Sequence, residues 1–311
     1  MNSTTKKAVA LAAAALLGLV LASCSATNTG SASDAASEEA ADVHYAVDED
    51  TLVYGVNPAA IDTQTQYQPL MDYLAQETGK KIEFYESTNY AALIEAAIAG
   101  KVDIASFSGF TYVTAEKNGA TITPIASVVT QLGEDPGYFS QAIVPVDSDI
   151  ETLEDFAGKT VCFVDPSSTS GYLFPSYNLM QAGIDPETDI TPVFVGKHDV
   201  SVQKVSEGRE CDAGFAEESE VVKTDAVRVI AETIVPGAPI VLSDTLPADL
   251  TAQLRELLVD ITVDDIIDAG IESADTDYFR TSFLATVAVD STYYDTIRDL
   301  CEETGASQCE G

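Results

Sequence analysis

A run of hydroxyl residues at the start of a predicted helix has the most distinctive chemistry in the chain. Pro166 ends a predicted strand, and Ser168, Thr169 and Ser170 then precede Gly171. One hydroxyl is enough to cap a helix N-terminus, so three in succession exceed that structural need. Together with the unpaired N–H groups and the dipole of the helix, they form an uncharged set of donors suited to an oxyanion.

His198 is the second candidate, because it is the only histidine in the part of the sequence predicted to fold. It opens a predicted helix at the same sheet edge as the hydroxyl run, and open α/β sheets bind ligands at that edge. A hydrolase interpretation would make Ser168 the nucleophile and His198 the base. That interpretation lacks a third, orienting carboxylate, since Asp199 follows on the same helix and would point elsewhere.

Composition excludes several classes of function. The chain carries 15 Lys+Arg against 51 Asp+Glu, a net charge of −36, which argues against nucleic acid and against electrostatic docking on anionic lipid. The two histidines, His44 and His198, are too few for a zinc site built on several histidines, and we expect neither metal nor cofactor. Hydrophobic residues make up 46% of the chain, which supports a buried core divided between two lobes.

The N-terminus has the pattern of an export signal. Lys6 and Lys7 precede an apolar run that is shorter than the about 20 residues of a membrane span and ends at Cys24. Residues 1–23 are therefore predicted to be a lipoprotein signal peptide, with Cys24 as the lipidated residue; an ordinary signal peptide with an incidental cysteine is the alternative. Residues 24–50 are small, polar and acidic, which indicates a flexible tether.

Export places the remaining cysteines in an oxidising compartment, where an even number suggests disulfides. Cys301 and Cys309 are close in sequence and are predicted to pair. That leaves Cys162 with Cys211, whose predicted strands should be neighbours in a parallel sheet.

Strands and helices alternate after residue 50, which predicts an α/β fold with parallel sheets. The pattern occurs twice, with a connecting strand at 138–146 and a returning strand at 239–242. We therefore predict lobe 1 from residues 51–140 and 240–311, and lobe 2 from residues 141–239. Two crossing strands would form a hinge, with the ligand cleft between the lobes.

Five segments together resemble the phosphonate/phosphite/phosphate-binding proteins of ABC importers. They are Asn89-Tyr90-Ala91, Pro136-Gly137-Tyr138, the run from Asp165 to Pro175, Val195-Gly196-Lys197-His198, and Val235-Pro236-Gly237-Ala238-Pro239. The similarity runs roughly from Leu52 to Leu246. It implies a periplasmic binding protein of type 2, whose two lobes close around the ligand.

The resemblance also implies roles for individual residues. Ser168, Thr169 and Ser170 would hold the phosphorus oxygens. Tyr90 and Tyr138 would donate from the first lobe. His198 would donate from the second, with an imidazolium as one form it can take beside the anion.

The family's acidic groups, which hold a ligand amine, have an uncertain counterpart in this chain. Glu217 and Glu218 follow a predicted strand where one such acid lies, without a certain alignment. Ala238 stands where another acid is expected, which favours ligands without an amine.

These features predict a monomeric, lipid-anchored receptor on the outer face of a bacterial cytoplasmic membrane. It would capture a small phosphorus oxyanion for an ABC permease and ATPase, without catalysis, and would contact the membrane only through its N-terminal lipid. The alternatives are a receptor for another oxyanion such as sulfonate, a binding protein with no importer, and the hydrolase using Ser168 and His198.

Overall fold

The computed structural model describes residues 43–85, 87–129, 132–133 and 135–309. The predicted signal peptide, Cys24 and most of the predicted tether lie outside the described residues. None of the helices in the described part of the chain has the length and apolar character that a membrane crossing needs.

The end of the predicted tether, residues 43–50, is bonded to the folded chain. The backbone N–H of His44 donates to the carbonyl of Thr245 at 3.0 Å, and that of Ala46 donates to Asp103 Oδ1 at 2.9 Å. Composition placed this segment in the tether because residues 24–50 as a whole have almost no large apolar residue, whereas backbone hydrogen bonds hold its last residues to the folded chain.

Strands and helices alternate along the chain, as predicted. The strands are β1 (Thr51–Val56), β2 (Lys81–Tyr85), β3 (Ile104–Ser106), β4 (Ile122–Val129), β5 (Gly137–Pro145), β6 (Thr160–Phe163), β7 (Thr191–Phe194), β8 (Ala213–Glu217), β9 (Val227–Pro236), β10 (Pro239–Ser243) and β11 (Ala285–Ala288). The α-helices are α1 (Thr63–Thr78), α2 (Tyr90–Ile98), α3 (Gly109–Lys117), α4 (Phe174–Gln181), α5 (His198–Glu207), α6 (Glu218–Val221), α7 (Ala248–Leu258), α8 (Val263–Asp268), α9 (Asp277–Ser282) and α10 (Asp295–Thr304).

The strands form two sheets, and the chain passes between them twice. The first sheet has the order β11-β4-β10-β3-β1-β2 and the second the order β7-β6-β8-β5-β9. Strands β5 and β9 are antiparallel partners that lie wholly in the second sheet, so the crossings are the connections before Gly137 and after Pro236. The two connections touch, because the N–H of Gly237 donates to the carbonyl of Pro136 at 3.0 Å.

The first sheet is covered on both faces, which explains the apolar run of its inner strand. All six residues of β1 are buried. Tyr54 and Leu52 pack toward α1 and α7, whereas Val53 packs with Leu93 of α2 on the other face. An inner parallel strand covered by helices on both faces must be apolar along its whole length.

Two disulfides are present in the described part of the chain, and both join the predicted partners. Cys162 on β6 is linked to Cys211, which precedes β8, and β6 and β8 are parallel neighbours. Cys301 on α10 is linked to Cys309. The first disulfide ties neighbouring strands of the second sheet, and the second closes the C-terminal turn.

Candidate ligand-binding site

The hydroxyl run begins a helix that opens as a π turn rather than as the predicted regular helix. The π turn covers Thr169–Leu173 and continues into α4, and Ser168 caps it by accepting the N–H of Gly171 at 3.0 Å. A Cβ on Gly171 would lie 2.4 Å from Val164, so only glycine lets this turn approach the end of β6. The close approach buries all three hydroxyl residues.

The hydrogen bonds that Thr169 and Ser168 accept leave their O–H groups able to donate. Thr169 Oγ1 accepts the backbone N–H of Phe110 at 2.8 Å, and Ser168 Oγ accepts the cap bond. An accepted bond occupies a lone pair and leaves the O–H hydrogen to donate. Among the described residues, Ser170 Oγ is buried and has no hydrogen-bond partner of good geometry. The run therefore presents donors that the fold has already oriented.

Tyr90 lies on the first-lobe side of the candidate site. It is the first residue of α2, whose cap Asn89 accepts the N–H of Ala92 at 2.8 Å, and it is 1% exposed. Burial raises the pKa of Tyr90 well above its usual value, the Glu217 charge adds to this, and the Ser168 hydroxyl acts in the opposite direction. The phenol therefore stays protonated and can donate.

Tyr138 reaches the site from the second sheet, which differs from the predicted first-lobe position. It lies on β5, close to the first crossing. Burial raises the pKa of Tyr138, as does the Glu217 charge, while the hydroxyls of Ser170 and Thr169 lower it. The misplacement has a simple cause, since the predicted lobe boundary at residue 140 cuts a strand whose pairing begins at Gly137.

His198 is a neutral donor in this structure, and the imidazolium form that the sequence left open does not fit. It follows Gly196, whose φ of 84° requires glycine, and opens α5. Its Nδ1 accepts the backbone N–H of Glu217 at 3.0 Å, so the ring proton is on Nε2. Burial lowers the pKa of His198, against the smaller opposing effects of Glu217 and Asp199.

Glu217, not Glu218, lies beside His198 and the candidate tyrosines. One Glu217 oxygen accepts the Ser219 hydroxyl at 3.0 Å, and the other lies 3.8 Å from His198 Nε2. Its charge also contributes to the raised pKa values of Tyr67, Tyr90 and Tyr138. The Glu218 carboxylate instead accepts the N–H of Phe139 at 3.3 Å. The two glutamates diverge because β8 ends between them.

Sequence reasoning missed Tyr67 on α1 and Ser106 at the end of β3. Tyr67 is half-buried near Glu217, and desolvation raises its pKa while Ser106 lowers it. Ser106 also shares a 2.8 Å hydrogen bond with the Tyr54 hydroxyl. Neither residue had a recognisable signal in the sequence. Tyr67 lies near Leu70 and Leu74 on a predicted helix, which is typical of a core residue.

The position of Ala238 bears on whether the site can hold a ligand that carries an amine. It is half-buried in the crossing between β9 and β10, where its carbonyl accepts the Ser127 hydroxyl at 3.0 Å. A methyl side chain at this point supplies no carboxylate.

The lobes meet beside the site, in a closed arrangement. His198 N–H donates to the carbonyl of Ala59 at 2.9 Å, Lys197 Nζ donates to that of Ala60 at 3.0 Å, and Ile61 N–H donates to Asp199 Oδ2 at 3.1 Å. The start of α5 is thus bonded to the 59–61 loop of the other lobe. Among the described residues, no group of three or more His, Cys, Asp or Glu is arranged to hold a metal ion.

Comparison with known proteins gives a consistent result. Residues 54–282 match the family model described as "ABC transporter, phosphonate, periplasmic substrate-binding protein". The chain is 35% identical over 284 residues to the phosphate-import protein PhnD of Mycolicibacterium smegmatis, covering 84% of this chain and 88% of the relative. It is 27% identical over 215 residues to the phosphonates-binding periplasmic protein of Escherichia coli, covering 64% and 62%.

Solved structures share the fold. The binding protein component of a Pseudomonas aeruginosa ABC phosphonate transporter has a TM-score of 0.70 at 22% identity, covering 83% of this chain and 87% of that one. PhnD1 of Prochlorococcus marinus, solved with methylphosphonate, has a TM-score of 0.69 at 18% identity, covering 83% and 99%. These likenesses confirm the predicted two-lobe α/β architecture. From the family match and the 35% identical relative, the chain belongs to the phosphonate-binding periplasmic substrate-binding proteins of ABC transporters.

Proposed function

We propose that this protein is a lipid-anchored receptor that captures a small phosphorus oxyanion between its lobes and delivers it to an ABC permease and its ATPase. The observation that carries the proposal is the clustering of hydroxyl and N–H donors where the two lobes meet. Ser168, Thr169 and Ser170 offer hydroxyl hydrogens, and His198 offers Nε2–H. The phenols of Tyr90 and Tyr138 complete the set.

Uncharged donors suit this chain because they bind an anion without a basic surface. Preorganised hydroxyl and N–H donors in a buried site interact strongly with an ionised oxygen, since hydrogen bonds to charged groups are the stronger ones. The closed arrangement supports capture by lobe closure. The N–H of Phe110 from one lobe meets Thr169 of the other at 2.8 Å, so the hydroxyl that would hold the ligand also joins the lobes.

The geometry disfavours the hydrolase alternative. A general base must have a free lone pair directed at the nucleophile. The Nδ1 lone pair of His198 accepts the Glu217 N–H, and Nε2 carries the proton. His198 therefore has no site left to take a proton from Ser168, which supports binding rather than catalysis.

The remaining features of the proposal rest on sequence. Cys24 would be the lipidated residue after removal of residues 1–23, and the following residues would tether a monomeric binding domain to the outer face of the membrane. We place one lobe at residues 51–136 together with the chain from residue 237 onward, and the other lobe at residues 137–236, with the hinge at the connections before Gly137 and after Pro236.

Calorimetric titration of the protein lacking residues 1–24 tests the proposal. We expect phosphate, phosphite or methylphosphonate to bind with Kd of about 1 μM or tighter, about −8 kcal/mol, at one site per chain. Ethanesulfonate and an activated ester provide the comparison. Tight binding of the sulfonate alone would support the other oxyanion class, and turnover of the ester that Ser168→Ala abolishes would support the hydrolase.

A further inference from the structure

A carboxylate lies among the donors of the proposed oxyanion site. Glu217 Oε2 is 3.8 Å from His198 Nε2, the donor that would face the ligand, and the Glu217 side chain is 22% exposed. Among the described residues, His198 is the only basic side chain within ion-pair distance of the Glu217 carboxylate, and its imidazole is neutral. No lysine or arginine of the described chain pairs with it.

A carboxylate beside an anion is repulsive by Coulomb's law, and a hydrogen bond donated from the anion to the carboxylate offsets that repulsion. Tyrosine, serine and threonine hydroxyls both donate and accept, and His198 Nε2–H only donates. An ionised carboxylate only accepts. Glu217 is therefore the group in this space that requires a donor from its partner.

We propose that Glu217 accepts a hydrogen bond from a hydroxyl on phosphorus, which makes the site select oxyanions that carry a proton. Hydrogen phosphate and singly protonated phosphonates meet this requirement, whereas sulfate and sulfonates have no proton at neutral pH. The inference rests on the proposed function, because it names the ligand form that the same cleft selects.

An ammonium group on the ligand is the competing occupant of the Glu217 position. It has three N–H donors and a full charge that must be paired when buried. One Glu217 oxygen already accepts the Ser219 hydroxyl, and Ala238 supplies no second acid. A single P–O–H donor matches the one remaining carboxylate oxygen.

The selection should appear as a pH dependence that belongs to the ligand. The titratable groups facing Glu217 are His198 of α5, Tyr67 of α1, Tyr90 of α2, Tyr138 of β5, Tyr278 of α9 and Glu218 and Glu220 of α6. The four tyrosine pKa values are raised and that of His198 is lowered, so these five groups stay neutral from about pH 7 to about pH 9. Burial raises the pKa of Glu218 and of Glu220, and a titration of either in this range would change the phosphate profile as well as that of methylphosphonate.

Phosphate keeps a proton throughout that range, whereas methylphosphonate loses its last acidic proton within or near it. We expect phosphate affinity to stay within about threefold. Methylphosphonate affinity should fall about tenfold per pH unit above its second ionisation, because only the protonated form binds.

Titration of the parent and of Glu217→Gln with phosphate, methylphosphonate, sulfate and 2-aminoethylphosphonate tests the inference. The parent should prefer phosphate to sulfate by about 100-fold or more, since a site built for a hydroxyl rejects an analogue that lacks it. The amide that the substitution introduces can donate to an unprotonated oxygen, so the variant should bind sulfate within about tenfold of phosphate. Glu187→Gln removes the same charge at an exposed position of the second lobe and should keep the parental preference.

Three results would overturn the inference. Equal binding of phosphate and sulfate by the parent would remove the selection while leaving an oxyanion receptor. Tightest binding of 2-aminoethylphosphonate, lost in Glu217→Gln, would make Glu217 the amine site. Parental binding of no phosphorus oxyanion would refute the proposed function and this inference together. The parental pH profile decides the matter even if the variant fails to fold.

Discussion

Thr169 is the residue whose replacement tests the site most sharply, because its hydroxyl has two partners. Its oxygen accepts the N–H of Phe110 at 2.8 Å from the other lobe, which leaves its hydrogen for the ligand. Thr169→Val keeps the shape and removes both bonds. Loss of a hydrogen bond to a charged ligand costs about 1.5–3 kcal/mol, and a buried N–H left without an acceptor adds about 1–3 kcal/mol.

The expected loss of oxyanion affinity is therefore about 3 kcal/mol or more, a factor of more than about 100. Calorimetric titration measures it directly. The melting temperature without ligand should change little, because water can reach the Phe110 amide when the lobes are apart. Thr169→Ser keeps the hydroxyl and should bind within about tenfold of the parent.

Thr286→Val is the matched control. Thr286 is 1% exposed, lies on the edge strand of the first sheet, and accepts the N–H of Ile261 at 3.2 Å. Its replacement should lower the free energy of unfolding by about 1–3 kcal/mol and leave the ligand Kd unchanged. If Thr169→Val binds like the parent, or if both valine variants bind equally weakly, the assignment of Thr169 to the ligand is wrong.

Three further predictions concern other parts of the molecule. The pKa of His198 is lowered, so the stability that its neutral form contributes should be complete above about pH 6.5 and should decline as the pH falls from there toward the folded-state pKa. The measurement is the free energy of unfolding of the parent minus that of His198→Gln, and a difference that grows at low pH would contradict this. Asp199→Asn should weaken the contact with the 59–61 loop. Small-angle scattering with ligand should then show a larger fraction of open molecules, and titration should show a loss of about 1 kcal/mol of ligand-binding free energy. An unchanged scattering profile would show that lobe closure does not depend on this contact. Non-reducing peptide mapping should recover Cys162 with Cys211 and Cys301 with Cys309, and a Cys162–Cys301 peptide would contradict the lobe assignment.

The sequence predicted what depends on short-range pattern. The strand and helix alternation, the two lobes and the hydroxyl run at a helix start all follow from periodicity and capping within a few residues. The π turn at Thr169–Leu173 did not follow, because it depends on how closely Gly171 approaches Val164.

Features that depend on register or on distant contacts could not be predicted. Glu217 and Glu218 are adjacent, and only the register at the end of β8 decides which one lies beside His198. The protonation of His198 depends on the backbone N–H of Glu217, on another element. The lobe of Tyr138 depends on where β5 begins to pair with β9.

Ligand-dependent melting of the protein lacking residues 1–24 tests the central claim most directly. A ligand that binds only the folded form stabilises it by about 4 kcal/mol at a thousand times its Kd. We predict that phosphate, phosphite or methylphosphonate raises the melting temperature of the parent by several degrees, and that Thr169→Val loses most of this shift. A shift given by sulfonates alone, or by none of these oxyanions, would contradict the account.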